Sequence, residues 1–269
     1  MKVFFIADII GKPGRKAVKA LLPKSLEREK FDLILANGEN SAGGFGITPR
    51  IAHELVEDGI DIITSGNHIW DRKEIVDFLE KENFLLRPAN YPEGAPGKGS
   101  GIFKTKTGVL VGVINLSGRT YMGNFECPFR AALQAIEKIK KSTPLMIVDF
   151  HAEATSEKAA LGWFLDGQVS AVIGTHTHVQ TADERILPLG TAFITDAGMS
   201  GSLDSVIGID KEIAIQRFLT QTPKKFEPAK QNPHLQGVIV DIDEKTGKSN
   251  SIKRFDCSVD KCEVESFKG

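Results

Sequence analysis

Eight polar residues of this 269-residue chain have the types and spacing to hold metal ions and move a proton. Asp8 closes the region of the apolar run Lys2–Ala7. Glu39 and Asn40 follow a second run, in Asn37-Gly38-Glu39-Asn40. Asn67 and His68 follow a third, in Gly66-Asn67-His68. His151 follows Leu145–Phe150, and His176 and His178 follow Ala171–Ile173, in Gly174-Thr175-His176-Thr177-His178. Imidazole and carboxylate together suit iron, manganese or zinc, and amide oxygens fill out a harder, higher-coordinate site. With His68 set aside, the seven remaining candidates are too many for one tetrahedral zinc. They suit two ions sharing a bridging carboxylate, a pair about 3.5–4 Å apart that can clamp a phosphoryl group and acidify a water between them.

Each piece alone has an ordinary explanation. An Asp after a strand commonly caps a helix or turns the chain, and Asn37-Gly38 and Gly66-Asn67 are turn dipeptides. A lone His151 fits a satisfied, partly buried histidine. The joint pattern carries the weight, because turn chemistry does not place histidines at three such sites in succession. His53 and His234 fall outside the pattern.

The elements that must position these residues are short and apolar. Runs at Lys2–Ala7, Asp32–Ala36, Asp61–Thr64, Val109–Ile114, Leu145–Phe150, Ala171–Ile173, Ala192–Thr195 and Gly237–Ile242 read as strands covered on both faces. Helical spacing alternates with them at Arg15–Arg28, Pro49–Asp58, Arg72–Lys81, Pro128–Lys141 and Thr155–Leu165. Thr48 is the expected cap of the second helix, with Pro49 at its first position. Asp71 is the expected cap of the third. Strand, turn and helix in repetition predict an α/β fold, with strands dominating from Leu187 onward and a polar loop over Thr220–Pro233. In an open α/β sheet the carboxyl ends of the strands share one edge, so five strands would deliver the candidate ligands together. The expected organisation is a single domain over residues 1–269.

Composition narrows the function. Hydrophobic residues make up 41% of the chain, charged residues 26%, and the formal net charge is -1. No basic block marks a duplex nucleic-acid or anionic-membrane surface, although a metal site can attract a small anion that a residue count does not reveal. No apolar run reaches the ~20 residues that cross a bilayer, and the N-terminal residues lack a signal-peptide pattern. The three cysteines, Cys127, Cys257 and Cys262, contain no Cys-x-x-Cys pair and predict neither a disulfide framework nor a thiolate zinc site. The expected compartment is the cytoplasm.

The order Asp8, Gly-Glu-Asn, Gly-Asn-His, a strand-ending His and Gly-Thr-His-Thr-His resembles the calcineurin-like metallophosphoesterase superfamily. It is most similar there to the YmdB-like 2′,3′-cyclic nucleotide phosphodiesterases. The likeness extends to Ala7–Arg15, Arg87–Asn90, Asp149–Glu157 and Thr175–Asp183, and so to nearly the whole chain. Two departures from the wider superfamily fall at its Asp-x-His block, where Ile10 replaces the histidine, and at the bridging aspartate, replaced by Glu39. Both resemble the YmdB-like branch.

The resemblance implies a four-layer α/β sandwich of mixed sheets flanked by helices. It implies one metal held by Asp8, Glu39, Asn40 and His178, and another by Glu39, Asn67, His151 and His176. It implies iron and/or manganese as the ions and His68 as the proton donor. The implied reaction opens a 2′,3′-cyclic nucleotide to a 3′-nucleotide by attack of a metal-bridging hydroxide. The rival readings are a phosphomonoesterase or RNase with the same site, and a metal- or nucleotide-binding regulatory protein with little turnover. The expected partner is a small cyclic nucleotide or phosphodiester; RNA and a homo-oligomer stay open, and no membrane is expected.

Weaker signals are Gly43-Gly44-Phe45-Gly46, read as a turn ahead of the helix at Thr48 rather than a substrate loop, and Arg119, Thr120, Glu153 and Gln180, read equally as outer partners of ligands or as surface polar residues.

Overall fold

The strand Lys2–Ile6 (β1) has no polar face, and its alternation divides the molecule. Phe4 and Ile6 pack into one apolar core, and Val3, Phe5 and Ala7 into another. Successive strand residues point to opposite faces, so a strand apolar on both must lie in a sheet covered twice.

The computed structural model describes residues 1–260. After β1 come β2 (Asp8–Ile9), α1 (Gly11–Arg28), β3 (Leu33–Asn37), α2 (Pro49–Glu57), β4 (Ile62–Thr64), α3 (Ile75–Lys81), β5 (Ser100–Lys104) and β6 (Leu110–Ser117). Then follow α4 (Pro128–Ile139), β7 (Met146–His151), α5 (Thr155–Leu165), β8 (Ala171–Thr175), β9 (Arg185–Ile186), β10 (Ala192–Ile194), β11 (Met199–Ser202), α6 (Lys211–Thr220), β12 (Pro233–Ile242) and β13 (Ser249–Ser258).

These strands form two mixed sheets. One has the order β2-β11-β12-β1-β3-β4, with β13 added to β12; the other has the order β5-β6-β7-β8-β10-β9. Between them lies the core that contains Phe5, Leu35, Val113, Ile147, Ile173 and Val238. Outside the first sheet α1, α2 and α3 cover Phe4, Ile6 and Ile34 with Val18, Leu22, Leu55 and Leu79. Outside the second, α4 and α5 cover Val148, Phe150 and Val172 with Ile136, Ile139 and Leu161. Helix, sheet, sheet, helix is the expected four-layer sandwich, and each fully buried large apolar side chain contributes roughly 1.5–3 kcal/mol to holding it.

Three expectations need correction. The ligand-bearing strand ends do not line one edge of one sheet. β1, β3 and β4 belong to the first sheet, and β7 and β8 to the second. The third helix begins at Ile75, not Arg72, and Asp71 does not cap it; Asp71 ends a 3-10 turn over Ile69–Asp71. The helix α6 interrupts the strand-rich second half. It was illegible because Ile215, Phe218 and Leu219 are all exposed, so its apolar residues mark no buried stripe. Its start has a clear cause, since Asp210 accepts from the backbone N–H of Glu212 and Ile213. Thr48 caps α2 as expected, accepting from Ile51 N–H.

Among the described residues no helix is long and apolar enough to cross a membrane. Cys127 is a free thiol, and Cys262 lies outside the described residues.

Candidate metal centre

β1, β3 and β4 run parallel, as do β6, β7 and β8, so the loops that leave their carboxyl ends collect at one end of the sandwich. Asp8 sits just past β1 and pairs with Met199 of β11. Glu39 and Asn40 lie in the turn after β3, Asn67 and His68 in the turn after β4, His151 at the last residue of β7, and His176 and His178 just after β8. Asn67 and His68 are thus in a turn, and strand alternation does not govern where they point.

All seven candidate ligands come together, in two groups that meet at Glu39. In the first, Asn40 Nδ2 is 3.2 Å from Glu39 Oε1, 3.5 Å from Asp8 Oδ1 and 3.4 Å from His178 Nε2. In the second, His151 Nε2 is 2.8 Å from Glu39 Oε1, 3.2 Å from Asn67 Oδ1 and 3.0 Å from His176 Nδ1. The first group gathers Asp8, Glu39, Asn40 and His178, and the second Glu39, Asn67, His151 and His176.

Each histidine ring is fixed from behind. His151 Nδ1 lies 3.0 Å from Thr175 Oγ1, and that hydroxyl donates to Asp149 Oδ1 at 2.7 Å. His178 Nδ1 lies 2.9 Å from the carbonyl oxygen of Ile207. His176 Nε2 lies 3.0 Å from Glu153 Oε2. One nitrogen of each ring is anchored, and the other faces the cluster, which is how outer partners orient metal-binding imidazoles. The backbone supports the same end: His176 and His178 have φ of 101° and 63°, a left-handed region costly for residues with a Cβ.

The donor set fits cations. Glu39, His151 and His176 offer atoms that all lie within 4.8 Å of one another, and Glu39 and His151 are buried. Asn40 Oδ1 is buried without a hydrogen-bond partner. Exchanging its amide N and O, a choice set by partners rather than observed, would aim that oxygen at Asp8, Glu39 and His178, an arrangement that a shared cation would satisfy. Gly66 leaves the room: a Cβ there would stand 2.1 Å from His151 Cδ2 and 2.5 Å from Glu39 Oε2.

The electrostatics point the same way. Burial opposes charge on His151, but Glu39, Asp8 and Asp149 outweigh it and push the imidazole up to about 9. Burial and the neighbouring His151 push His176 down to about 3. Burial raises Asp8, and His151 holds Glu39 low against its own burial. A cation held at this junction would offset the same carboxylates and displace a proton from His151.

A sequence profile of YmdB-like proteins matches residues 4–255. The chain belongs to the YmdB-like family. It is 51% identical over 255 residues to a Bacillus subtilis protein named 2′,3′-cyclic-nucleotide 2′-phosphodiesterase, covering 95% of this chain and 96% of that one. A hypothetical protein from Thermus thermophilus superposes with a TM-score of 0.90 at 39% identity, covering 96% of this chain and 99% of that one. The calcineurin-like phosphoesterase YfkN of Bacillus subtilis shares the fold at 15% identity, with a TM-score of 0.62 over 99% of this chain and 92% of its own. The YmdB-like resemblance and the sandwich are both borne out.

In this YmdB-like chain His68 stands apart from the cluster. Its backbone N–H donates to Glu39 Oε2 at 3.0 Å, while its ring, part-exposed, has Nδ1 3.0 Å from Asp71 Oδ2. Sequence reading missed Asp71, since three residues after His68 it looked like a cap. It also missed Asp149, whose place inside an apolar strand was the available signal, and the hydroxyl of Thr175. Of the weaker candidates, Glu153 reaches His176. Gln180 Nε2 donates to the carbonyls of Ala197, Gly237 and Phe255 and is structural. The backbone N–H groups of Arg119 and Thr120 donate to Glu157. His53 packs on Phe78 and Phe84, and His234 pairs with Asp256, both away from the site.

Proposed function

We propose that residues 1–269 act as one domain, a dinuclear phosphodiesterase that hydrolyses 2′,3′-cyclic nucleotides to 3′-nucleotides. The observation that carries this reading is the meeting of two ligand groups at the buried Glu39. The relative named 2′,3′-cyclic-nucleotide 2′-phosphodiesterase, 51% identical along almost the whole chain, supports the choice of substrate. Asp8, Glu39, Asn40 and His178 would hold one ion, and Glu39, Asn67, His151 and His176 the other. Iron and manganese suit this mixture of imidazole, carboxylate and amide. Such ions supply charge neutralisation for a phosphate and acidify water.

The chain's own groups do the rest. His151, His176 and His178 are held by Thr175, Glu153 and the Ile207 carbonyl, so the ligand nitrogens need not reorganise as charge develops. Water adds to phosphorus, the P–O2′ bond breaks, and the departing O2′ takes a proton. His68 would give that proton. With Nδ1 held by Asp71, Nε2 is the nitrogen left to deliver it. A poor alkoxide leaving group needs such an acid.

The deciding experiment compares manganese- and iron-loaded protein on 2′,3′-cyclic nucleotides, bis(nitrophenyl) phosphate and nitrophenyl phosphate, with metal content measured on the same sample. Turnover of the cyclic nucleotide with close to two ions per chain is the expected result. Preference for the monoester, or full activity with one ion, overturns it.

A further inference from the structure

The glycine-rich loop after Asn40 does more than turn the chain. Gly43, Gly44 and Gly46 take φ of 73°, 98° and 75°, which a glycine adopts without strain. Arg72 fastens the loop: Nη2 donates to the Ala42 carbonyl at 2.6 Å and Nε to the Phe45 carbonyl at 3.1 Å. Between the glycines, Phe45 is held beside His68, ring centroids 5.0 Å apart at 69°.

A second ring comes from a distant part of the chain. Phe226, in the loop between α6 and β12, lies 6.5 Å from Phe45 with ring planes only 18° apart. The guanidinium of Arg217 stands 4.4 Å from the Phe226 centroid. Phe4, Phe5 and Phe150 are wholly buried, whereas Phe45 and Phe226 keep part of their surface in solvent. Two accessible, nearly parallel rings in a stacked arrangement, with a cation over one of them, stand at the edge of the site.

We propose that Phe45 and Phe226, with Arg217 behind Phe226, form a nucleobase subsite. The proposal rests on the cyclic-nucleotide reading and explains its regiochemistry. In a 2′,3′-cyclic nucleotide, O2′ is on C2′ and the base is on the adjacent C1′. A substrate that presents O2′ to His68 therefore carries its base into the space next to His68, where Phe45 stands. Presented through O3′, the base would be one carbon farther away. Stacking against such rings accepts any base, because each has a π-face, and the Arg217 cation adds to it.

The test compares 2′,3′-cyclic AMP with glycerol 1,2-cyclic phosphate, the same five-membered cyclic diester without a base, on manganese-loaded protein. Base stacking contributes ~1–3 kcal/mol, so Phe226→Ala and Phe45→Leu should each lower the preference for the nucleotide in kcat/KM by roughly fivefold or more. Phe226→Trp should restore it. Calorimetric binding of 3′-AMP against glycerol phosphate supplies a readout without turnover, and the same variants should erase that preference too. Parallel losses on both substrates, or an unchanged nucleotide preference in both variants, overturn the subsite while leaving the diesterase reading intact. A wild-type protein that hydrolyses neither cyclic diester, yet binds 3′-AMP in a Phe226-dependent way, overturns the diesterase reading and upholds the subsite.

Discussion

His68 and Asp71 form a dyad in which Nδ1 and a carboxylate oxygen are 3.0 Å apart, at the exposed side of a cluster whose other histidines face inward. The pairing fixes the ring of His68, and in the proposed mechanism its far nitrogen would meet the substrate. His68→Ala should keep its metals and lose about 10²–10⁴-fold in kcat on a 2′,3′-cyclic nucleotide. Nitrophenolate leaves without an acid, so the same variant should show a modest defect on a nitrophenyl diester. Asp71→Ala should follow the same selectivity with a smaller loss. Equal losses on both substrates together with lost metal would make His68 a ligand instead.

Glu39 is the junction of both ligand groups, whereas His178 belongs to one. Glu39→Ala should lose both ions and nearly all turnover, and His178→Ala should chiefly weaken one. Metal content after gel filtration checks this directly; two retained ions in Glu39→Ala would show that the bridge lies elsewhere.

The empty space at Gly66 should be indispensable. Gly66→Ala would drive a methyl to within 2.1 Å of His151 Cδ2, so either that ring or the turn must shift. The expected outcome is a folded protein with reduced metal affinity at the group of His151, His176 and Asn67. Titration with manganese at wild-type affinity would count against the placement of that turn.

Lys158 and Asp196 form a buried pair at 2.7 Å, and Asp196 Oδ2 also accepts from the backbone N–H and hydroxyl of Thr177, between the two histidines of the His-x-His segment. Removing one partner of a buried pair typically costs about 3–5 kcal/mol. Lys158→Met should therefore lower the denaturation midpoint strongly, and Lys158→Met with Asp196→Asn should lower it less. Equal midpoints for wild type and Lys158→Met would show that the pair contributes nothing.

Asp183 gives the fold an acid-sensitive tie. Burial opposes its charge, but hydrogen bonds from Thr181 and Thr195 prevail and lower its pKa from the usual carboxylate value. A carboxyl depressed in the folded state stabilises above its unfolded pKa, about 3.9, and that contribution fades as pH falls through the folded value. Asp183→Asn should thus be less stable than wild type at neutral pH, with the gap closing below about pH 4. Urea titrations at both ends of that range measure it.

The residue types that bind metal were legible because they fall directly after apolar runs, and a run of β-branched residues is easy to read. Their company was not. Asp149 and Thr175 look like strand interior until the parallel pairing of β7 with β8 sets Thr175 opposite His151 and brings its hydroxyl diagonally onto Asp149. Asp71 satisfied a helix-cap pattern that the chain uses for His68 instead. Phe226 is 181 residues from Phe45 in sequence and carries no local mark of its role. Local periodicity reports burial and turns, and contacts between separate loops leave no period to read.

The first strand has another consequence, for the order in which the molecule can assemble. β1 pairs with β3 on one side, but on the other with β12, where Lys2 faces Asp241. The backbone of His176 likewise meets Asp8 across 168 residues. During synthesis the N-terminal strand therefore waits with one edge open until almost the whole chain has emerged, and an unpaired apolar edge invites association with other chains. A ribosome stalled between residues 178 and 233 would leave a fragment holding every proposed ligand but lacking the strand that pairs with β1 beneath them.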